Sequence, residues 1–157
     1  MNDICEKAVK TIKTLRDDHD HILGVDDYDW FQAYIEGYVD SLNISSNTDL
    51  RIDITNVYNP GENHIYWTDQ IKYKNQYKEN SEKVSILLDI TEKYFSDHSS
   101  WFIETDLNKL KSDIFFRLNG LKERRGMFFS ERLPLNIYLE GFVDGLCVYI
   151  NNSNFAL

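Results

Sequence analysis

Hydrophobic side chains recur every three or four positions over most of the chain, which is the spacing of amphipathic helices. The pattern predicts helices over residues 3–16, 29–43, 81–95, about 105–126 and about 134–151. Several of these predicted helices begin with residues that favour a helix start. Asp29 with Gln32 resembles a helix cap and its reciprocal partner, and Thr105, Asp106 and Pro134 suit a first turn. The chain is therefore predicted to be mainly helical.

The hydrophobic period changes to two between residues 49 and 78. Apolar and polar side chains alternate over 50–55, and the turn sequence NPGEN at 59–63 separates this run from HIYWT at 64–68, which predicts a β-hairpin. A further alternation, which fits either a third strand or a short helix, involves Ile71, Tyr73 and Tyr77. No linker rich in Gly, Pro or Ser divides the chain, so we expect an α+β fold with a small antiparallel sheet in a single domain of residues 1–157.

Two segments of nine residues are nearly identical, YIEGYVDSL at 34–42 and YLEGFVDGL at 138–146. A glycine inside a helix costs about 1 kcal/mol relative to alanine, so we expect another backbone to lie close to the glycines of both segments. The helices that precede the two segments also correspond. We therefore predict an internal pseudo-repeat of two helical hairpins, about 3–43 and 105–151, packed about an approximate two-fold axis. A chance match between amphipathic helices is the alternative for the leading helices.

The two segments also repeat a pair of carboxylates, Glu36 with Asp40 and Glu140 with Asp144. On a helical wheel both pairs fall opposite the apolar stripe, which predicts a solvated face or a binding face. Di-iron helical bundles need a histidine three residues after the glutamate, and valine stands there in both segments. The pairs are therefore not expected to hold a metal.

Negative charge is concentrated at the start of the chain. The formal net charge is −9, and the first 50 residues hold 11 acidic and 4 basic side chains, a balance of −7. Residues 17–29, DDHDHILGVDDYD, contain no Lys or Arg, so this surface would repel nucleic acid directly. A basic protein is the partner that such a surface favours. The expected partner-binding residues are Asp17, Asp18, Asp20, Asp26, Asp27, Asp29, Tyr28 and Trp30.

The sequence contains no Gly-rich phosphate loop, no HExxH and no GxSxG, so no catalytic residue and no cofactor is predicted. The histidines and aspartates of residues 17–21 could offer ligands to a divalent cation, although a solvated acidic stretch is the simpler interpretation and no metal is expected. Cys5 and Cys147 fall on apolar stripes and are expected to be buried thiols. The basic run KERRG at 122–126 could contact phosphate or could complement a helix dipole.

These features favour a small acidic inhibitor that binds and neutralises a basic enzyme acting on nucleic acid. Toxin immunity proteins and phage-encoded inhibitors of bacterial defence nucleases share this charge and size, and nothing in the sequence separates the two classes. A structural or adaptor subunit, in particular a homodimer, is one alternative, and a metal- or ligand-binding protein is another. A start without a basic and apolar leader, and no run of about 18 apolar residues, predict a cytoplasmic protein that does not enter a membrane.

Overall fold

The computed structural model describes residues 3–22, 27–44, 46–62, 64–98, 107–128 and 135–152. All regular secondary structure in these ranges is helical. The helices are α1 (Asp3–Ile22), α2 (Tyr28–Asn43), α3 (Leu50–Tyr58), α4 (Trp67–Lys74), α5 (Asn80–Asp97), α6 (Leu107–Phe128) and α7 (Leu135–Asn152). None of these helices is long and apolar enough to cross a membrane.

The predicted β-hairpin is wrong, because helices α3 and α4 occupy its place and the described part of the chain contains no strand. The Asp49 carboxylate caps α3 by accepting hydrogen bonds from the backbone N–H groups of Arg51 and Ile52. Leu50 and Ile54 lie one helical turn apart and are both buried, whereas Ile52 is only half-buried. Alternating apolar residues over so short a run therefore suited a helix as well as a strand. The fold is all-α and not α+β.

The chain turns after α3 at residues 59–61, within the NPGEN sequence that was predicted to form a turn. Gly61 has φ +90°, a left-handed conformation that favours glycine. The next helix is anchored at its first residue, because the Trp67 backbone N–H donates to Thr55 Oγ1 at 3.0 Å. The region of the proposed third strand continues α4 as far as Lys74, with Ile71 buried and Tyr73 exposed. The short-helix alternative is thus correct for Ile71 and Tyr73, whereas Tyr77 lies beyond the end of the helix.

The predicted long helices are present, with shifted ends. α1 extends six residues beyond the expected end, so it includes residues 17–22 of the acidic stretch, which is defined as residues 17–29. α2 is capped by Asp27, whose side chain accepts from the Asp29 N–H, and not by Asp29 itself. Helices α5, α6 and α7 match their predicted ranges to within about two residues at each end. The expected capping residues of α6 and α7, Thr105, Asp106 and Pro134, lie outside the described residues.

Helix α2 is the centre of the molecule. Every residue from Phe31 to Leu42 is buried, because α3, α4, α5 and α7 all pack against it. Helix α1 packs against α5 and α7. Trp67 of α4 fills the core beside α5, where its indole N–H donates to Thr91 Oγ1 at 3.2 Å. Burial on all sides means that even the polar face of α2 lies inside the protein.

Helices α2 and α7 approach each other at the glycines of the two similar segments. A Cβ atom added to Gly37 would overlap the carbonyl oxygen of Tyr138, and one added to Gly141 would overlap that of Tyr34. The expectation of a close backbone is confirmed at both positions. The contacts are reciprocal, because Gly37 corresponds to Gly141 and Tyr34 to Tyr138, as a two-fold arrangement requires.

Candidate functional site

The acid pair of α2 forms a buried ion-pair network with Arg51 of α3. Arg51 donates from Nε to Asp40 Oδ1 at 2.6 Å and from Nη2 to Oδ2 at 2.7 Å, which is a bidentate arrangement. The hydroxyl of Tyr138 on α7 also donates to Asp40 Oδ2. Glu36 lies 3.8 Å from Arg51 Nη1, and Arg117 Nη1 of α6 lies 3.8 Å from Asp40. One carboxylate thus ties together α2, α3, α6 and α7.

The pKa values of the two carboxylates in this network are shifted in opposite directions. Burial alone would raise the pKa of Asp40, but the Arg51 guanidinium and the hydrogen bonds from Arg51 and Tyr138 outweigh it and lower that pKa. Burial raises the pKa of Glu36, and the charge of Arg51 opposes this effect only in part. The network therefore holds one firmly ionised carboxylate beside one that protonates more readily.

Glu36 and Gln32 of α2 are both linked to α4 by hydrogen bonds. Thr68 donates to Glu36 Oε1 at 2.7 Å, and Gln32 Nε2 donates to Asp69 Oδ1 at 2.8 Å. Gln32 is therefore part of an interior network and not the partner of a helix cap. The prediction of a solvated face is wrong for Glu36 and Asp40, because α3 and α4 cover the side of α2 that carries them.

The acid pair of α7 is exposed, as predicted for Glu140 and Asp144. The hydroxyl of Tyr34 donates to Asp144 Oδ2, which reproduces the contact that Tyr138 makes with Asp40. None of the ion pairs among the described residues involves Glu140 or Asp144. The structure thus presents two equivalent acid pairs, one covered and one open.

The described parts of the acidic stretch, residues 17–22 and 27–29, are the end of α1 and the start of α2, and the start of α2 lies near the start of α5. Helices α1 and α5 are antiparallel, because Cys5 contacts the His98 carbonyl at 3.0 Å while Arg16 pairs with Asp89 at 2.6 Å. Lys83, near the start of α5, lies 5.9 Å from the ring centroid of Tyr28.

Several of the expected partner-binding residues have roles within the fold. Tyr28 is buried, and its hydroxyl donates to the Thr68 carbonyl at 2.6 Å. Asp27 caps α2, and Asp29 forms an ion pair with Lys72 at 2.5 Å. Trp30 is half-buried against the core. These four residues anchor the acidic stretch, which leaves fewer of the predicted residues for a partner.

The remaining predicted residues belong to the end of α1 or follow it. Asp17 is exposed, and the backbone of Asp18 and Asp20 continues α1, although their side chains lie outside the described part. Asp26 lies outside the described residues altogether. The metal-binding hypothesis for residues 17–21 concerns side chains that are also outside it. Within the described residues, no group of three His, Cys, Asp or Glu side chains could hold a metal ion.

A cleft of about 520 Å³ runs between α1 and α7. Lys7 and Lys10 line it on the α1 side, and Asp144 and Cys147 line it on the α7 side. The prediction of a buried thiol is wrong for Cys147, which is exposed in this cleft. It is correct for Cys5, where burial raises the pKa of the thiol to about 11. Cys5 is therefore a poor nucleophile at neutral pH.

The residues that sequence reasoning missed are Arg51 and Arg117. Arg51 was assigned to a strand, so its position over the acids of α2 could not be foreseen. A signal was present, since the twelve residues from Phe31 to Leu42 contain only two charged side chains. Buried charged residues need a counter-ion, but α7 is equally poor in charge and leaves its two acids exposed, so this signal alone could not identify the buried pair.

No protein-family model matches this chain, and no curated protein or solved structure matches it either. The functional argument therefore depends on the geometry and charge described above.

Proposed function

We propose that this protein is a binding protein and not an enzyme, and that it neutralises a basic enzyme acting on nucleic acid. Toxin immunity proteins and phage-encoded inhibitors of bacterial defence nucleases are the classes that fit this role. Its proposed binding surface is the acidic end, defined by Asp17, Asp18 and Asp20 of α1 together with Asp26. Its proposed location is the cytoplasm, where such a partner would meet its substrate.

The placement of three aspartates in the last two turns of α1 carries this proposal. The carboxyl end of a helix is the negative end of its dipole, so a carboxylate in the last turn of α1, such as that of Asp20, opposes folding by about 0.3–1 kcal/mol. No Lys or Arg stands between residues 17 and 29 in the sequence. An arrangement that helix stability disfavours is typical of a surface used for binding.

The electrostatics of such a surface fit a basic partner. A groove that binds nucleic acid presents Lys and Arg side chains to phosphates, and a cluster of carboxylates can take the place of those phosphates. Opposite charge also steers the two proteins together and raises the association rate.

An affinity-capture experiment tests the proposal. The protein and a variant carrying Asp17→Lys, Asp18→Lys and Asp20→Lys are immobilised and exposed to a lysate of the cells that encode it. We expect the unmodified protein to retain a basic nucleic-acid-cleaving enzyme that the variant does not retain. The purified enzyme should then lose its cleavage activity when one equivalent of the protein is added.

A second variant with the same change in charge controls for net charge. Glu6→Lys, Glu62→Lys and Asp97→Lys alter exposed residues outside the acidic end. This variant should still retain the enzyme and still inhibit it. If both variants lose the enzyme equally, or if the captured enzyme cleaves nucleic acid as fast with the protein as without it, the proposal is wrong.

A homo-oligomeric adaptor is the second candidate, and one observation favours it. Phe115 and Phe116 of α6 are 70% and 82% exposed, which is unusual for two adjacent phenylalanines. If this face joins two copies, sedimentation equilibrium should give a mass that rises with concentration, and Phe115→Ser with Phe116→Ser should restore the monomer mass. A monomer mass for the unmodified protein at all concentrations would exclude this candidate.

A further inference from the structure

The two similar segments present the same side chains in different surroundings. Glu36, Val39 and Asp40 of α2 correspond to Glu140, Val143 and Asp144 of α7. The three residues on α2 are buried, whereas Val143 is 54% exposed and both acids of α7 are exposed. The difference arises because α3, α4 and α5 pack against α2. The α7 face, defined as Glu140, Val143 and Asp144, has no equivalent cover among the described residues.

The covered pair shows what this arrangement of side chains binds. Arg51 approaches Asp40 with two nitrogen atoms, at 2.6 and 2.7 Å, and places a third nitrogen 3.8 Å from Glu36. A planar guanidinium can do this because its N–H groups match the two oxygens of a carboxylate. Lysine, with a single nitrogen, cannot make the same bidentate contact.

Asp144 of the open pair accepts a hydrogen bond from a tyrosine, as Asp40 of the covered pair does. Tyr34 donates its hydroxyl to Oδ2 of Asp144, as Tyr138 does to Oδ2 of Asp40. Rings stack similarly in the two segments, with centroids 6.3 Å apart for Tyr34 with Tyr38 and 6.3 Å apart for Tyr138 with Phe142. The same donor holds the same carboxylate in both halves. Among the described residues, no Lys or Arg forms an ion pair with Asp144 in the way that Arg51 does with Asp40.

We propose that the α7 face binds an arginine side chain presented by a helix of a partner protein, seated on α7 as α3 is seated on α2. The inference does not rest on the acid pair alone, because the equivalent pair holds an arginine in this same structure. It rests on the proposed function only in taking the partner to be a basic protein. It extends the expected contact area beyond the acidic end.

The internal example also specifies the partner's sequence pattern. Arg51 follows Leu50 directly, and Ile54 stands three residues after it. Both apolar residues are fully buried when α3 packs in place. A partner helix seated in the same way would carry an apolar residue immediately before the arginine and another three residues after it. The exposed Val143 offers apolar surface for such a helix.

Cations close to Asp144 do not prevent this binding. Lys7 and Lys10 of α1 line the cleft that Asp144 also lines. The covered pair has a similar neighbour, because Arg117 Nη1 lies 3.8 Å from Asp40 while Arg51 is in place. One aspartate therefore accommodates a bidentate arginine with a second cation nearby.

A peptide titration followed by NMR tests the inference. The probe is a synthetic peptide with the sequence of residues 49–59, held helical by a covalent staple between the positions of Asp53 and Val57, which are one turn apart. We expect amide signals of α7 around Val143 and Asp144 to shift on titration. The same peptide with lysine at the position of Arg51 should bind at least about fivefold more weakly, since it lacks the bidentate contact.

Two variants of the full-length protein complete the test. Asp144→Asn should weaken binding of the arginine peptide at least about fivefold and abolish the preference for arginine. Asp97→Asn, an exposed acid at the end of α5, should leave both unchanged. The inference is overturned if no α7 signal shifts at about 1 mM peptide, or if the arginine and lysine peptides bind equally well.

The outcome is separate from that of the enzyme-capture experiment. If the peptide binds as described but no basic enzyme is captured, the arginine-binding surface stands and the proposed function fails. If an enzyme is captured and inhibited but the peptide shows no preference for arginine, the proposed function stands and this inference fails.

Discussion

Asp40 is the residue on which the interior depends most. Its side chain is 3% exposed and forms an ion pair with Arg51. Removing one partner of a buried ion pair leaves an uncompensated charge, which typically costs about 3–5 kcal/mol. Arg51→Met should therefore lower the free energy of unfolding by about this amount, as measured by urea denaturation at pH 7.

The control for this prediction is Arg16→Met. Arg16 pairs with Asp89 and Glu92 of α5, whose side chains are 64% and 17% exposed, and its own side chain is 33% exposed. Because water reaches these pairs, their loss should cost less than that of the buried pair, about 1 kcal/mol. A loss of stability in Arg51→Met no larger than that of the control would show that the buried pair is not formed. The unmodified protein should also lose stability in acid, because the lowered pKa of Asp40 gives a contribution that is present above its unfolded pKa and disappears as pH falls through the folded pKa.

Glu36 should have the opposite dependence on pH. Because burial raises its pKa in the folded state, the folded protein binds the proton more tightly than the unfolded chain does. Its contribution to stability therefore decreases as pH rises from the unfolded pKa, about 4.3, to the folded pKa. Glu36→Gln removes this titration, so its stability relative to the unmodified protein should increase over that interval and then level off. Denaturation curves at several pH values would show this, and a constant difference would contradict it.

The burial of these two acids could not be predicted from the helical wheel. The wheel correctly places Glu36 and Asp40 opposite the strongest apolar stripe, but it assumes that a helix has one side facing water. Which faces are covered depends on packing with α3 and α4, and hence on contacts far along the chain. The same reasoning was correct for Glu140 and Asp144, where α7 does face water.

At the scale of helices, the contact between α2 and α7 requires glycine at two positions. Gly37→Ala and Gly141→Ala would each drive a Cβ atom into a backbone carbonyl of the other helix. Since a backbone cannot move aside as a side chain can, each should lower the free energy of unfolding by about 1–3 kcal/mol or more. Thermal or urea denaturation measures this loss.

Gly120 of α6 is the matched control, because a Cβ atom added there would meet nothing within 4 Å. Gly120→Ala should stabilise the protein by up to about 1 kcal/mol, as alanine favours the helix. Equal effects at Gly120 and Gly37 would contradict the close packing of α2 against α7. The closeness itself was predictable, since glycine at the same position of two similar helices is typical of a close backbone contact.

The short helix α3 is the element that sequence patterns described least well. Its nine residues span too few turns for a period of 3.6 to be distinguished from a period of 2. The cap at Asp49 distinguishes a helix from a strand, because its hydrogen bonds to the Arg51 and Ile52 N–H groups are typical of the start of a helix and not of a strand. Asp49→Ala should lower the free energy of unfolding by about 1 kcal/mol, whereas Asn47→Ala, at an exposed position just before the cap, should have little effect. No difference between these variants would contradict the helical start at Leu50.

At the scale of the whole molecule, some acidic residues are buried and others face outward. The acids of α2 are neutralised inside the protein, while Asp17 near the end of α1 and the acid pair of α7 face outward. The sequence predicted the concentration of acidic residues but not this division, which follows from the covering of α2 by α3, α4 and α5. The outward-facing acids are the ones available to a partner.

The association rate with a captured basic enzyme, measured over a range of ionic strengths, tests the central claim most directly. If the acidic end steers the encounter, Asp17→Lys, Asp18→Lys and Asp20→Lys together should reduce the rate at low salt by at least about tenfold and flatten its dependence on salt. The variant with Glu6→Lys, Glu62→Lys and Asp97→Lys, which has the same net charge, should change both much less. Rates and salt dependences that are the same for the two variants would contradict the claim that the acidic end is the binding surface.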